Sequence, residues 1–246
     1  MNDRERDTHF SEFFCITTLR LTNEEVLSNL DASLTRIKQA IQYTKTHTFP
    51  SSSGGGARGG GLSAEQRVGE KAQSQASNLR ILDLGTGGGF PLLALAACLP
   101  EAAFIGLDSV RKKVDAVTRV VDATGLANVQ LVCGRAEEVG RKGPYRAKFD
   151  IVTSRAVGPL AVLLELSGPL LKVGGYALCW KSLQIDEELA QSEHAQKELK
   201  LPLKERVEYT LPGDWGTRQI LCFQKEAPTS GRYPRETGVP GKFPLI

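Results

Sequence analysis

The chain has 246 residues, 41% of them apolar, with 31 Lys and Arg against 28 Asp and Glu, and a formal charge of +3. This length and apolar content suit one sizeable core with appendages and exclude a fibre or a coiled coil; the mild positive charge permits a nucleic-acid partner without requiring one. No apolar run approaches the ~18 residues that span a bilayer, and the opening MNDRERDTHF mixes acids and bases unlike a secretory or transit peptide, so the expectation is a soluble intracellular protein.

In chain order, residues 1–48 are expected to form a helical amino-terminal element. Residues 22–42 predict one amphipathic helix, with Thr22 and Glu25 as a capping box and Val26, Leu27, Leu30, Leu34, Ile37 and Ile41 on one face. Residues 49–77 turn to Ser and Gly and read as a flexible linker. The six glycines around Arg58 are not a phosphate loop, because no strand precedes them and no Lys-Ser/Thr follows. Cys15, Cys98, Cys133, Cys179 and Cys222 are scattered, with no CxxC pair, so no metal site is expected and the thiols read as small buried hydrophobes.

Residues 78–226 alternate strand-like and helical runs, which predicts an α/β fold with a doubly wound, mainly parallel, Rossmann-like sheet. Val110, Val114, Val117 and Val121 fall on one helical face, with Arg111, Lys112 and Lys113 outward. Gly174 and Gly175 read as the stop of a helix before the next strand. A polar helix is expected near 186–199, and the runs ERVEYTLP and TRQILCFQK around GDWG predict an antiparallel hairpin that closes the sheet. The last segment, 227–246, is a basic tail rich in proline and glycine, and regular structure is not expected there.

The chemistry concentrates at LRILDLGTGGGFPLLALA. Gly85, Gly87, Gly88 and Gly89 follow a strand and precede a helix with Pro91 near its first position, which leaves bare backbone at the sheet edge where such folds bind ligands. Phe90 stands where the third glycine of a GxGxxG dinucleotide fingerprint would be, so the spacing departs from that motif. Asp83 precedes the turn, where its carboxylate can accept from the turn's N–H groups or meet an ammonium, and Asp108 ends the second strand, where a carboxylate can take both hydroxyls of a ribose. A ligand with an adenosine, an ammonium and no phosphate suits this pair; S-adenosylmethionine ranks ahead of NAD, whose pyrophosphate would crowd Asp83. Ala136 and Glu137, after the third strand, are placed to flank the adenine.

Taken together, LDLGTGGGFPLLALA, LDSVRKKV, GRAEEV, FDIVTSRAVGPLAVLLEL and YPRETGVPGKFPL resemble the RsmG (GidB) family of guanine-N7 methyltransferases of small-subunit (16S-type) ribosomal RNA. The resemblance implies a methyltransferase fold, S-adenosylmethionine as methyl donor and N7 of a guanine as acceptor. Carried over by position, Gly85, Phe90, Ala136, Glu137 and Arg155 would contact the cofactor, beside Asp83, Gly87, Gly89 and Asp108 from the turn. Arg155, Lys181 and Arg218 would serve the reacting groups. At the front, the family's His-x-x-Asp-Ser element is SNLDAS here, with Ser28 at the histidine position and Asp31 retained.

Guanine N7 has an in-plane lone pair and no proton, so no general base is needed, in keeping with His9, His47 and His194 lying outside the motifs. Arg232, Tyr233, Arg235, Lys242 and Phe243 interleave base and aromatic, a pattern suited to exposed RNA. The expected partner is small-subunit ribosomal RNA, met by a monomer without metal or membrane, in the cytoplasm or in an organelle's stroma or matrix. A methyltransferase for another RNA or a small substrate, and an NAD-dependent oxidoreductase, are the alternatives.

Overall fold

A computed structural model describes residues 79–210 and 217–246. The helix expected over 22–42, within the 1–48 element, and the 49–77 linker lie outside the described residues. The elements are β1 (Arg80–Leu84), α1 (Leu92–Cys98), β2 (Ala103–Asp108), α2 (Arg111–Thr124), β3 (Val129–Cys133), α3 (Ala136–Val139), β4 (Phe149–Arg155), α4 (Leu160–Ser167), β5 (Leu171–Lys181), α5 (Asp186–Gln191), α6 (Glu193–Leu199), β6 (Leu203–Thr210), β7 (Thr217–Gln224) and α7 (Val239–Lys242).

The strands form one sheet in the order β3-β2-β1-β4-β5-β7-β6. All neighbours are parallel except β7, which runs antiparallel to both β5 and β6, so the sheet is doubly wound and closed by a hairpin. The order reverses between β1 and β4, and the crevice beyond their C-terminal ends is where such a sheet receives a ligand.

Apolar alternation fixes which residues face each layer. Ile81 and Phe104 meet Leu92, Leu93, Val117 and Val120 on one side; Leu82, Leu84, Leu107 and Phe149 meet Leu160, Leu163 and Leu164 on the other. α2 buries Val114, Ala116, Val117, Val120 and Val121 and ends at Gly125 in the left-handed conformation, as a glycine stop should. Each valine sealed in this way contributes about 1.5 kcal/mol. Val110 departs from the expected stripe: it caps the helix start and is 45% exposed, because the turn that binds Asp108 faces it outward.

Three further expectations are corrected. Gly174 and Gly175 lie inside β5, since α4 has already ended at Ser167. The pairing with β4 jumps from Phe149↔Leu171 to Ile151↔Tyr176, and a Cβ on Gly175 would stand 2.7 Å from the Asp150 carbonyl oxygen. These glycines let one strand bulge against another rather than stop a helix. The helix over 186–199 is broken at Ser192 into α5 and α6. The tail contains the short helix α7 and packs on the core, with Tyr233 and Pro240 buried.

Candidate active site

The glycine turn owes its shape to backbone that only glycine adopts freely: Gly85, Gly87 and Gly89 have φ of 68°, 54° and 90°. Close approach adds a second reason. A Cβ on Gly85 would lie 2.7 Å from Val157 Cγ2, and one on Gly89 would lie 2.6 Å from Leu93 Cδ1. The turn is tied to β2 twice, by the Thr86 N–H donating to the Leu107 carbonyl at 3.0 Å and the Gly87 N–H donating to Asp108 Oδ2 at 2.9 Å. The other oxygen of Asp108 accepts from the Val110 N–H at 2.9 Å. Each carboxylate oxygen keeps a further lone pair for a hydroxyl. Phe90, by contrast, is buried in the core beside α1 and α2, so only its backbone faces the crevice.

The turn's Gly87 N–H is held by Asp108 rather than by Asp83. Asp83 Oδ1 accepts from the Thr153 hydroxyl at 2.7 Å, while Oδ2 is buried without a hydrogen-bond partner. Burial pushes this carboxyl up to about 6, against the lowering effects of the Thr153 and Thr86 hydroxyls, the Arg155 guanidinium and the Leu92 backbone. A buried oxygen with no donor is rare and points to a missing partner. An ammonium supplies donors and charge together, whereas a pyrophosphate would repel this carboxylate. Asp83 for the ammonium and Asp108 for the ribose hydroxyls therefore fit S-adenosylmethionine, with the bare backbone of Gly85 and Gly87 between them.

Ala136 and Glu137 open α3. The Glu137 carboxylate is turned away from the turn: Oε1 accepts from the Gly238 N–H at 3.0 Å and from Arg135 Nη2 at 2.9 Å. Burial opposes ionisation of Glu137, but the Gly238 and Arg135 hydrogen bonds outweigh it and hold the group below the usual carboxylate range. Its side chain thus fixes α3 to the tail, leaving Ala136 and the local backbone as the surface for an adenine.

The three basic residues fare differently. Arg155, at the end of β4, is half-buried, and its guanidinium forms no hydrogen bond or ion pair with a described residue, although its charge reaches Asp83. Among the described residues, the Arg218 guanidinium, at the start of β7, donates to the backbone carbonyl of Thr217, at 2.9 Å. Lys181 is already engaged: its Nζ donates to the Gly158 carbonyl at 2.8 Å and to Glu188 Oε1 at 2.6 Å, and the same Oε1 accepts from the Leu160 N–H at 2.6 Å. Lys181 and Glu188 together clamp the loop after Arg155, in which Ala156 is strained at φ 56° and Val157 leans on Gly85. Lys181 is therefore placed to position a loop rather than to touch a substrate. Thr153, Val157 and Glu188 escaped the sequence reading. Thr153 carries a signal, since it lies opposite Asp83 in the parallel register; Glu188 carries none.

The tail's basic residues are mostly bound within the fold. Arg235 forms a bidentate pair with the fully buried Glu165, with Nη2–Oε2 at 2.6 Å and Nε–Oε1 at 2.9 Å. Arg232 pairs with Glu198, and Tyr233 is buried. Arg146 donates to the carbonyls of Gly140, Thr229, Ser230 and Tyr233, and the buried Lys225 bonds the Leu199 carbonyl and the Thr229 hydroxyl. Of the five residues expected to grip RNA, Arg232, Lys242 and Phe243 remain exposed, and Arg232 is already paired with Glu198. Among the described residues no cluster of His, Cys, Asp and Glu could hold a metal ion, and no helix is long and apolar enough to cross a membrane.

A crevice that meets an ammonium with a buried carboxylate, and a ribose with a second one, belongs to an S-adenosylmethionine-dependent methyltransferase. Residues 68–210 match the GidB family, described as rRNA small subunit methyltransferase G. The ribosomal RNA small subunit methyltransferase G of Carboxydothermus hydrogenoformans is 41% identical over 169 residues, covering 69% of this chain and 72% of that protein. Its counterpart in Limosilactobacillus reuteri is 35% identical over 242 residues, or 98% of this chain and 92% of that protein. The chain belongs to the rRNA small subunit methyltransferase G family. Among solved structures, it is similar to Aeropyrum pernix fibrillarin in complex with S-adenosyl-L-methionine, at a TM-score of 0.48 and 17% identity over 59% of this chain and 66% of that one.

Proposed function

We propose that this protein methylates N7 of a guanine in small-subunit ribosomal RNA, using S-adenosylmethionine held across the β1–β4 crevice. The observation that carries the reading is Asp83, a buried carboxylate with one oxygen unpaired, beside a glycine turn in a chain of this family. The cofactor supplies an electrophilic methyl on a sulfonium. As the bond from N7 to that carbon forms, the sulfur–carbon bond breaks and the positive charge passes to the purine; no proton moves, so no base is required of the chain.

The protein's task is to align and to exclude water. Asp83 holds the ammonium, and Asp108 the ribose while it anchors the turn. Ala136, with the backbone of Glu137, borders the adenine, and the Gly85, Gly87, Gly89 and Phe90 backbone leaves room for close approach. Arg155, at the end of β4 just before the loop clamped by Lys181 and Glu188, faces the gap between cofactor and acceptor. We place the enzyme with the small subunit, in the cytoplasm or an organelle's stroma or matrix, acting as a monomer.

The test uses the full chain, labelled S-adenosylmethionine, and small subunits or 16S-type RNA from a strain lacking the activity. Label should enter RNA and yield a site that borohydride and aniline cleave, the signature of 7-methylguanine. Label without cleavage would move the methyl to another atom; no label with either RNA form would refute the reading.

A further inference from the structure

One face of the sheet carries a row of polar and aromatic side chains past the cofactor crevice. Asp83 lies opposite Thr153, Arg155 opposite Trp180, Trp180 opposite Ile220, and Arg218 opposite Tyr209. Since directly opposed residues share a face, Arg155, Trp180, Arg218 and Tyr209 stand together at the C-terminal edge of β4 and β5 and the adjoining end of the hairpin. Trp180 and Tyr209 rest on Leu178, Ile220 and Cys222 beneath them, and all four members of the row are half-buried. The Tyr209 phenol is pushed up by burial and pulled back by both guanidiniums and by a hydrogen bond with Trp180, which places these groups within one another's field.

Elsewhere on the described surface, arginines near the sheet meet carboxylates: Arg206 pairs with Asp186, Arg232 with Glu198 and Arg235 with Glu165. Arg218 meets no carboxylate among the described residues, and Arg155 forms no ion pair there, although its charge reaches the Asp83 carboxylate. Two like charges converging on an aromatic pair repel each other until an anion joins them. Three strand spacings across the sheet and four residues along it separate Asp83 on β1 from Arg218 on β7, about 20 Å, room for an acceptor beyond the cofactor's amino-acid end.

We propose that Trp180, Tyr209 and Arg218 form the seat of the acceptor nucleotide, a single-stranded guanylate stacked on the aromatic pair with its phosphate on Arg218. This inference rests on the guanine-N7 reading above. Arginine's strongest contact with guanine uses O6 and N7 together. An acceptor N7 must stay open, so the guanidinium at this site serves the phosphate. A guanine alkylated at N7 is cationic, and stacking on electron-rich rings strengthens as that charge develops. The interaction therefore grows toward the transition state, the direction that raises kcat.

The chain has two tryptophans, Trp180 and Trp215, so a full-length Trp215→Phe variant reports on Trp180 alone. Its fluorescence is titrated with 7-methylguanosine 5′-monophosphate and with GMP, and S-adenosylhomocysteine binding is measured calorimetrically on the same preparation. Saturable quenching is expected, tighter for the methylated nucleotide, and about tenfold weaker when Arg218→Gln is added, with S-adenosylhomocysteine affinity unchanged. Arg218→Lys, which keeps the charge, should restore most of the affinity. Quenching absent while S-adenosylhomocysteine binds, or indifferent to Arg218→Gln, would overturn the seat alone. A folded protein that fails to bind S-adenosylhomocysteine would overturn the methyltransferase reading beneath it.

Discussion

The glycine turn and the carboxyl-terminal tail were both read as ligand-facing, yet they treat polar groups in opposite ways. In the tail, Arg235 is paired with a buried carboxylate, Arg232 with Glu198, and four carbonyls around it are taken by Arg146. At the turn, Asp83 keeps a buried oxygen without a hydrogen-bond donor, and Arg155 reaches it through its charge without forming an ion pair. Satisfied groups hold a structure together, and unsatisfied ones store free energy until a ligand arrives. The contrast separates framework from site more sharply than residue type does, because both regions are rich in glycine and charge.

The largest effect expected from breaking this contrast is in the tail. Arg235→Ala would leave Glu165, which is 0% exposed, charged and without its ion pair, holding only the residue 235 backbone N–H, at a cost of about 3 kcal/mol. Urea denaturation followed by circular dichroism measures it; a loss below about 1 kcal/mol would mean the tail is an appendage after all.

The turn should respond in the opposite sense. Asp83 titrates near 6 in the fold against an ordinary 3.8. An acid whose native pKa is raised holds its proton more firmly when folded, so its contribution to stability falls as pH rises from about 4 to 6 and stays low above that. The ionised form costs up to about 3 kcal/mol at neutral pH. Asp83→Asn keeps an acceptor for Thr153 and carries no charge, so it should stabilise the cofactor-free protein by about 1–3 kcal/mol at pH 8 and by little at pH 5. The same variant should weaken S-adenosylhomocysteine binding by about ten- to a hundredfold, the loss of a charged hydrogen bond. In the unsubstituted protein, cofactor affinity should drop by about tenfold per pH unit below 6, and a flat profile from pH 5 to 8 in calorimetry would remove Asp83 from the ammonium.

A smaller effect belongs to the loop clamp. Glu188→Gln retains a carbonyl for the Leu160 N–H but gives up the ionic contact with Lys181, so Arg155 should lose its fixed approach. The expected signature is kcat reduced about threefold to tenfold with cofactor affinity unchanged. Glu188→Asp, which keeps the charge, should recover part of it. An equal fall for cofactor binding would place the clamp in general folding instead.

The fold was legible because strands and helices carry their periods locally: each of β1 to β5 stands in an apolar run, and Gly125 ends α2 as glycine stops do. What was hidden depends on partners distant in sequence. Gly174 and Gly175 look like a helix stop until β4 is set beside them, and the bulge then explains both. Asp83 and Asp108 were visible as a pair, but which of them holds the turn is decided by where β2 ends relative to Gly87. Tyr233 and Arg235 read as an RNA grip because Glu165 lies 70 residues away, beyond the reach of any local pattern. Lys181 was drawn to the chemistry by resemblance, and only the fold brings Glu188 to it.

The finest test of the contrast lies where the two regions touch. The tail's Gly238 N–H reaches Glu137 at the start of α3, so framework and cofactor pocket share one hydrogen bond. If the tail were an RNA arm, ending the chain after Thr237 would lower RNA affinity and leave the cofactor untouched. The geometry predicts otherwise: the Arg235–Glu165 and Arg146 anchors mostly remain, while Glu137 loses its backbone donor and is free to swing toward the pocket. S-adenosylhomocysteine affinity should fall about threefold to tenfold, the worth of one charge-assisted hydrogen bond acting at second hand. Adenine recognition should suffer most, so the preference for S-adenosylhomocysteine over its inosyl analogue should shrink in the same measure. A truncated protein that keeps both affinity and preference would show that the tail secures the core without shaping the site, and Glu137 would then belong to the framework alone.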